Sequence, residues 1–207
     1  MWGPDPKFNS RLQLAISKAK AAHVPKASID SSIARGQGIS TSGQALEPLM
    51  IEAMWPGSVG VVIECLTDNK PRVLQDLRHI IKEHGGSVTP TMFLFEKRGK
   101  VTFEENSGVN LDDYLELAIE SGATDIDSDK DRRLVIYTEP AETKSVAEAF
   151  AKSTNLVVER SEIIWDPIID TMAKPDGDIT EELEQALIAL RDDPSVRDVY
   201  INTTEKF

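Results

Sequence analysis

Lys70 and Arg72 flank Pro71 in the run Thr67-Asp68-Asn69-Lys70-Pro71-Arg72, between the apolar stretch Val59–Leu66 and a helical pattern. Asn69 suits a helix N-cap and Pro71 suits a first turn. The two cations have no such local reason, since positive charge at a helix N-terminus opposes the helix dipole by ~0.3–1 kcal/mol each when exposed. A neighbouring carboxylate could compensate them. So could a phosphate, held by the free N–H groups of the first turn and both side chains. The chemistry on offer is capture of an anion.

Other reactive patterns are weaker. Ser17 and Lys20 have the Ser-x-x-Lys spacing of a hydrolase, but its partner elements are absent from the sequence. His79 and His84 are five apart and fall on different helix faces, so they do not make the i, i+4 zinc pair. The acidic run Asp125 to Asp131 has Lys130 and Ile136 where a calcium loop needs Gly and Glu, and reads as a solvated turn. "GQGIST" has no third glycine and no strand before it. Cys65, the single cysteine, sits inside an apolar run and reads as a buried small hydrophobe. These patterns predict no enzyme, no metal and no cofactor.

The elements around these residues follow from periodicity. "NSRLQLAISKAKAAH" places Leu12, Ala15, Ile16, Ala19 and His23 on one helical face behind a cap at Asn9 or Ser10. "VPKASIDSSIARG" reads as a second helix, with Pro25 in its first turn and Gly36 past its end. A Gly/Ser linker, 36–44, follows. "LEPLMIEAM" and "VGVVIECL", joined by "WPGS", read as a hairpin. Val73, Leu74, Leu77, Ile80 and Ile81 then form the stripe of a helix packed on a sheet, closed by Gly85-Gly86. "TMFLFE" and "KVTFEE", split by "KRG", read as another hairpin. Past it, a helix capped by Asn110, a strand ("RRLVIYTEP"), a helix and a strand ("NLVVERSEIIW") suggest a separate α/β unit. A last helix near Ile179–Arg191 precedes a strand, Val196–Ile201, that could return to the first sheet. The class is α+β.

Charge is uneven. The chain has 207 residues and a net charge of −12, yet residues 1–43 carry six basic residues against Asp5 and Asp30. The other 17 basic and 33 acidic residues leave −16 on the remainder, which would repel a phosphate backbone. Only local basic spots could approach one. No apolar run reaches the ~18 residues of a membrane span, and the first residues lack the pattern of a secretory leader.

Five stretches together resemble the YebC/PmpR family: "GPDPKFNSRLQLAISKAKAAHVPKASIDSSIARG", "LTDNKPRVLQDLRHIIKEHGGSV", "FEKRG", "LELAIESGATDI" and "VRDVYIN". The family also includes the mitochondrial translational activator of cytochrome c oxidase subunit I. The resemblance implies a helical N-terminal domain (1–43), a second α+β domain (44–107 and 173–207) and a third, ferredoxin-like domain inserted in it (108–172). It implies a protein that is not an enzyme. The leading expectation is a translation factor in the mitochondrial matrix, bound to the ribosome, its RNA or messenger RNA. The alternative is a DNA-binding transcriptional regulator, cytoplasmic if bacterial. Family members carry a Lys-rich helical segment ahead of "GPDP". Here the sequence begins at Met1-Trp2, so that segment is expected to be truncated or lost. The expected nucleic-acid contacts are Lys18, Lys20, Lys26, Arg35, Asn69, Lys70, Arg72, Lys97 and Arg98, because the positive charge of an anionic chain concentrates in these motifs.

Overall fold

The computed structural model describes residues 5–6, 9–40, 43–104 and 111–204. In chain order the elements are α1 (Ser10–Ala21), α2 (Lys26–Gly36), β1 (Glu47–Trp55), β2 (Val59–Thr67), α3 (Lys70–Glu83), β3 (Ser87–Val88), β4 (Phe95–Phe103), α4 (Leu111–Ser121), β5 (Asp125–Ser128), β6 (Leu134–Thr138), α5 (Thr143–Thr154), β7 (Val158–Pro167), α6 (Gly177–Asp192) and β8 (Val196–Ile201). The class is α+β, with two four-stranded sheets. The chain forms two compact units: residues 1–56, 62–89 and 176–199, and residues 57–61, 90–175 and 200–207.

The first unit is built on the sheet β3-β1-β2-β8. β1 turns into β2 through Pro56-Gly57-Ser58, where Gly57 and Ser58 both take positive φ, as a tight hairpin requires. α3 buries Val73, Leu77 and Ile81, and α6 buries Leu183, Ala186, Leu187 and Leu190. Each such aliphatic side chain contributes roughly 1.5–3 kcal/mol when fully removed from water. Gly85 closes α3 in the left-handed region, and Gly86 must lack a side chain because a Cβ would meet the buried Trp55 ring at 2.6 Å. The Trp55 indole donates to the His84 carbonyl at 2.7 Å, so the end of α3 is tied to β1. β8 lies next to β2, returning the C-terminal strand to the first sheet.

The second unit carries β4-α4-β5-β6-α5-β7, in the sheet order β5-β6-β4-β7 with antiparallel pairing throughout. This is the ferredoxin-like arrangement. Its core joins Val101, Phe103, Leu134 and Ile136 from the sheet to Ala118, Val146, Ala147 and Phe150 from the helices. The Phe103 and Phe150 rings meet at 5.1 Å, tilted by 52°. Asn202 is fully buried at this unit's chain crossing. Its Oδ1 accepts from the Gly60 N–H at 2.6 Å, and its Nδ2 donates to the Thr171 carbonyl at 2.8 Å.

Four expectations are corrected. "KRG" is not a hairpin turn: Phe95–Phe103 is one strand. Gly99 is there for close approach, since a Cβ would overlap the Thr138 and Thr143 hydroxyls. In consequence β4, placed with the second domain by the 107/108 boundary, pairs with β6 and β7 of the other sheet. The acidic run is half strand, with Asp125–Ser128 forming β5. In α2, Pro25 takes the N-cap position rather than the first turn, and the left-handed residue after the helix is Gly38, two beyond Gly36. The expected cap Asn110 lies outside the described residues.

Candidate nucleic-acid interface

The knot at residues 67–72 is fixed by its own side chains. The Thr67 hydroxyl accepts from the Asn69 N–H at 3.0 Å, and Asn69 Oδ1 accepts from the Arg72 N–H at 3.1 Å. This is an N-cap on α3, with Pro71 following in its first turn. The capping leaves two cations on the first turn, and they have different fates. Lys70 reaches Glu47 of β1 at 2.8 Å, and its ammonium holds that carboxyl below the usual glutamate range, by hydrogen bond and then by charge. Arg72 has no carboxylate within ion-pair distance among the described residues, and its side chain lines a cavity of about 630 Å³.

That cavity belongs wholly to the first unit. Ser31 and Arg35 come from α2, Leu66 and Thr67 from the end of β2, and Asp68, Asn69 and Arg72 from the knot. Ser40, Gln44 and Leu46 come from the segment before β1, and Pro194 and Ser195 from the turn before β8. The segment is organised rather than a featureless linker: the Ser40 N–H donates to the Gln44 carbonyl at 2.8 Å, and the Gln44 N–H donates to the Ser40 hydroxyl at 3.2 Å. Arg35 spends one N–H on the Leu66 carbonyl at 3.4 Å. The Leu66 N–H donates to the Ser195 carbonyl at 2.8 Å, which brings the 194–195 turn to the same place. Arg35 and Arg72 therefore line one concave, partly apolar space together with Asp68.

Lys18 and Lys20 sit exposed in the last turn of α1, where positive charge suits the helix dipole. Lys26 is exposed at the first residue of α2. Among these three residues and Arg35 and Arg72, only the two arginines line the cavity.

Lys97 and Arg98 stand apart from these, on β4 of the second unit. Arg98 is only 19% exposed and donates to Asp166 at 2.8 Å, with Glu96 at 3.7 Å and Asp125 at 3.8 Å. Its guanidinium also lies 4.5 Å from the Tyr137 ring centre. Arg98 is thus occupied by its own unit. Lys97 lies 5.4 Å over the Trp165 ring. A second hollow, about 500 Å³, is lined by Glu104, Asp131, Arg133 and Glu159. Arg133 there is held by Asp129 at 2.6 Å, Asp131 at 3.1 Å and Glu159 at 2.9 Å, so the surplus charge is negative.

No group of three His, Cys, Asp or Glu side chains among the described residues is placed to hold a metal ion. Cys65 is buried, and its thiol is pushed up to about 12 by burial first and then by Asp193 and Glu64, which leaves no reactive thiolate at neutral pH. No described helix is long and apolar enough to cross a membrane.

The profile of the TACO1/YebC second and third domain matches residues 46–203, and that of the TACO1/YebC N-terminal domain matches residues 1–39. The chain belongs to the TACO1/YebC family. A Persephonella marina protein of this family, named a probable transcriptional regulatory protein, is 36% identical over 203 residues, 97% of this chain and 80% of that one. A Hyphomonas neptunium protein of the same name is 35% identical over 208 residues, 98% and 80% of the two chains. Both of these TACO1/YebC relatives are bacterial and carry a regulator's name. The crystal structure of a conserved hypothetical protein from Aquifex aeolicus superposes with a TM-score of 0.70 at 31% identity, covering 100% of this chain and 85% of that one.

Of the nine contacts expected from the sequence, Arg35, Asn69 and Arg72 line this cavity; Ser31, Ser40, Gln44, Pro194 and Ser195 line it without having been expected. The one signal for the last two was the return of the closing strand to the first sheet, which sets the turn before it beside the end of β2.

Proposed function

We propose that this chain is a nucleic-acid-binding regulator of gene expression, acting by binding rather than by catalysis. The carrying observation is the pairing of Arg35 and Arg72 on one cavity of a protein whose net charge is −12. Two arginines on one cavity beside a capped helix start suit a phosphate. The regulator names of the bacterial relatives support action on transcription, in the cytoplasm. A specific observation favours a second reading, regulation of translation through ribosomal or messenger RNA, in a mitochondrial matrix or otherwise. The α3 start places Arg72 on a cavity, whereas duplex readers lay a basic helix along a groove.

Crosslinking decides between them. The full-length protein is crosslinked in its own cells, purified, and the attached nucleic acid sequenced. Enrichment of promoter DNA supports the transcriptional reading, and enrichment of ribosomal or messenger RNA the translational one. Recovery no higher than from an R35E/R72E variant would remove both.

A further inference from the structure

We propose that the cavity of the first unit is a seat for one unpaired nucleotide, with the phosphate between Arg35 and Arg72 and the base against Leu46, Leu66 and Pro194. The inference deepens the nucleic-acid reading and rests on it.

Size comes first. About 630 Å³ lies within the range of sites that enclose a small molecule, and it is far too little for a duplex to enter. A strand can offer its contents only one residue at a time, unpaired. Charge comes second. Arg35 keeps donors beyond the one given to the Leu66 carbonyl, and the Arg72 guanidinium has no ion-pair partner among the described residues. Asp68 lines the same space. Lining comes third. Leu46, Leu66 and Pro194 give the remaining wall an apolar surface for a base. None of the described lining residues is aromatic, so the base is held without a stacking platform. Recognition is then tolerant of base identity, and a single seat is weak.

The test uses the full chain and a labelled, unstructured RNA strand of about 12 nucleotides, with binding followed by fluorescence anisotropy at low salt. Competitors are the blunt duplex of the same length, adenosine monophosphate and inorganic phosphate. Two variants accompany the wild type, each checked for an unchanged circular-dichroism melt. R35Q/R72Q removes the cations. S31F fills the cavity from α2 and leaves every charge in place.

The seat predicts that the strand outcompetes the duplex by at least about tenfold, the reverse of a purely electrostatic surface. It also predicts that S31F weakens the strand by about tenfold without changing the slope of log K against log salt. Displacement of the strand by adenosine monophosphate at similar concentration would identify a free nucleotide as the occupant. Displacement only by other strands would identify a chain. If R35Q/R72Q weakens binding but S31F does not, or if the duplex competes as well as the strand, the seat is wrong and the nucleic-acid reading stands. If neither strand nor duplex binds, both fall.

Discussion

Arg72, Arg98 and Arg133 are the same residue type in three different situations. Arg98 and Arg133 are each surrounded by carboxylates of their own unit, and Arg72 lines a cavity. The partners decide what each does. Reversing Arg133 would break a turn rather than probe a surface, because that turn is organised around Asp129. Burial pushes the Asp129 carboxyl up. The hydrogen bonds it accepts from the Arg133 N–H, the Arg133 guanidinium and the Asp131 N–H outweigh burial and hold it below its ordinary 3.8. A carboxyl lowered in the folded state contributes stability above its unfolded value and loses it as pH falls through the folded one. The Asp131 and Arg133 amides should therefore stay protected down to about pH 4 and lose protection only in stronger acid. Amide exchange followed by nuclear magnetic resonance across pH 2–6 would check this. D129N keeps an Oδ1 that accepts from both amides but does not titrate, so it should leave them protected and abolish the acid step. An unchanged profile in D129N would remove Asp129 from that role.

At the scale of elements, the segments with unbroken periodicity were legible. α3 could be read from Val73, Leu77 and Ile81, its start from Asn69 and its end from Gly85-Gly86. β4 could not, because Lys97-Arg98-Gly99 uses the vocabulary of a turn. Its glycine answers a demand made by residues about 40 positions away, on β6 and α5. The Thr138 and Thr143 hydroxyls are hydrogen-bonded to each other at 3.0 Å directly over Gly99. G99A should therefore destabilise the second unit by about 1–3 kcal/mol, the usual cost of forcing extra volume into a packed site. Urea unfolding would measure it. The same change in a T143A background should cost clearly less, since one of the two obstructing hydroxyls is gone. Equal costs in both backgrounds would mean that the Thr143 hydroxyl is not what requires glycine at position 99. The pairing of Arg98 with Asp166, and of Arg133 with Glu159, was hidden in the same way. Each joins strands that are distant in sequence, and charge composition does not show which cations are already spent.

For the whole molecule, the charge excess sets the terms. A chain at −12 repels a polyanion on average, so whatever binding it has must come from a few uncompensated cations. The expected contact set named nine residues. The structure ties Lys70 to Glu47 and Arg98 to three acids, and brings Arg35 and Arg72 to one cavity. The helical and α+β sections were legible from pattern and resemblance together. The cavity was not, because it requires residues 194–195 beside residues 66–72, and only β8 lying next to β2 puts them there.

The most direct measurement is the salt dependence of nucleic-acid binding for the wild type, R35E/R72E and a control reversal, K144E/K152E, on exposed positions of α5. Two lost phosphate contacts should lower the slope of log K against log salt by roughly 1.5 and weaken binding by more than about tenfold at low salt, with the control within about twofold of wild type. Equal losses in the two double variants would show that overall charge, and not the paired arginines, governs binding, and would contradict the central claim.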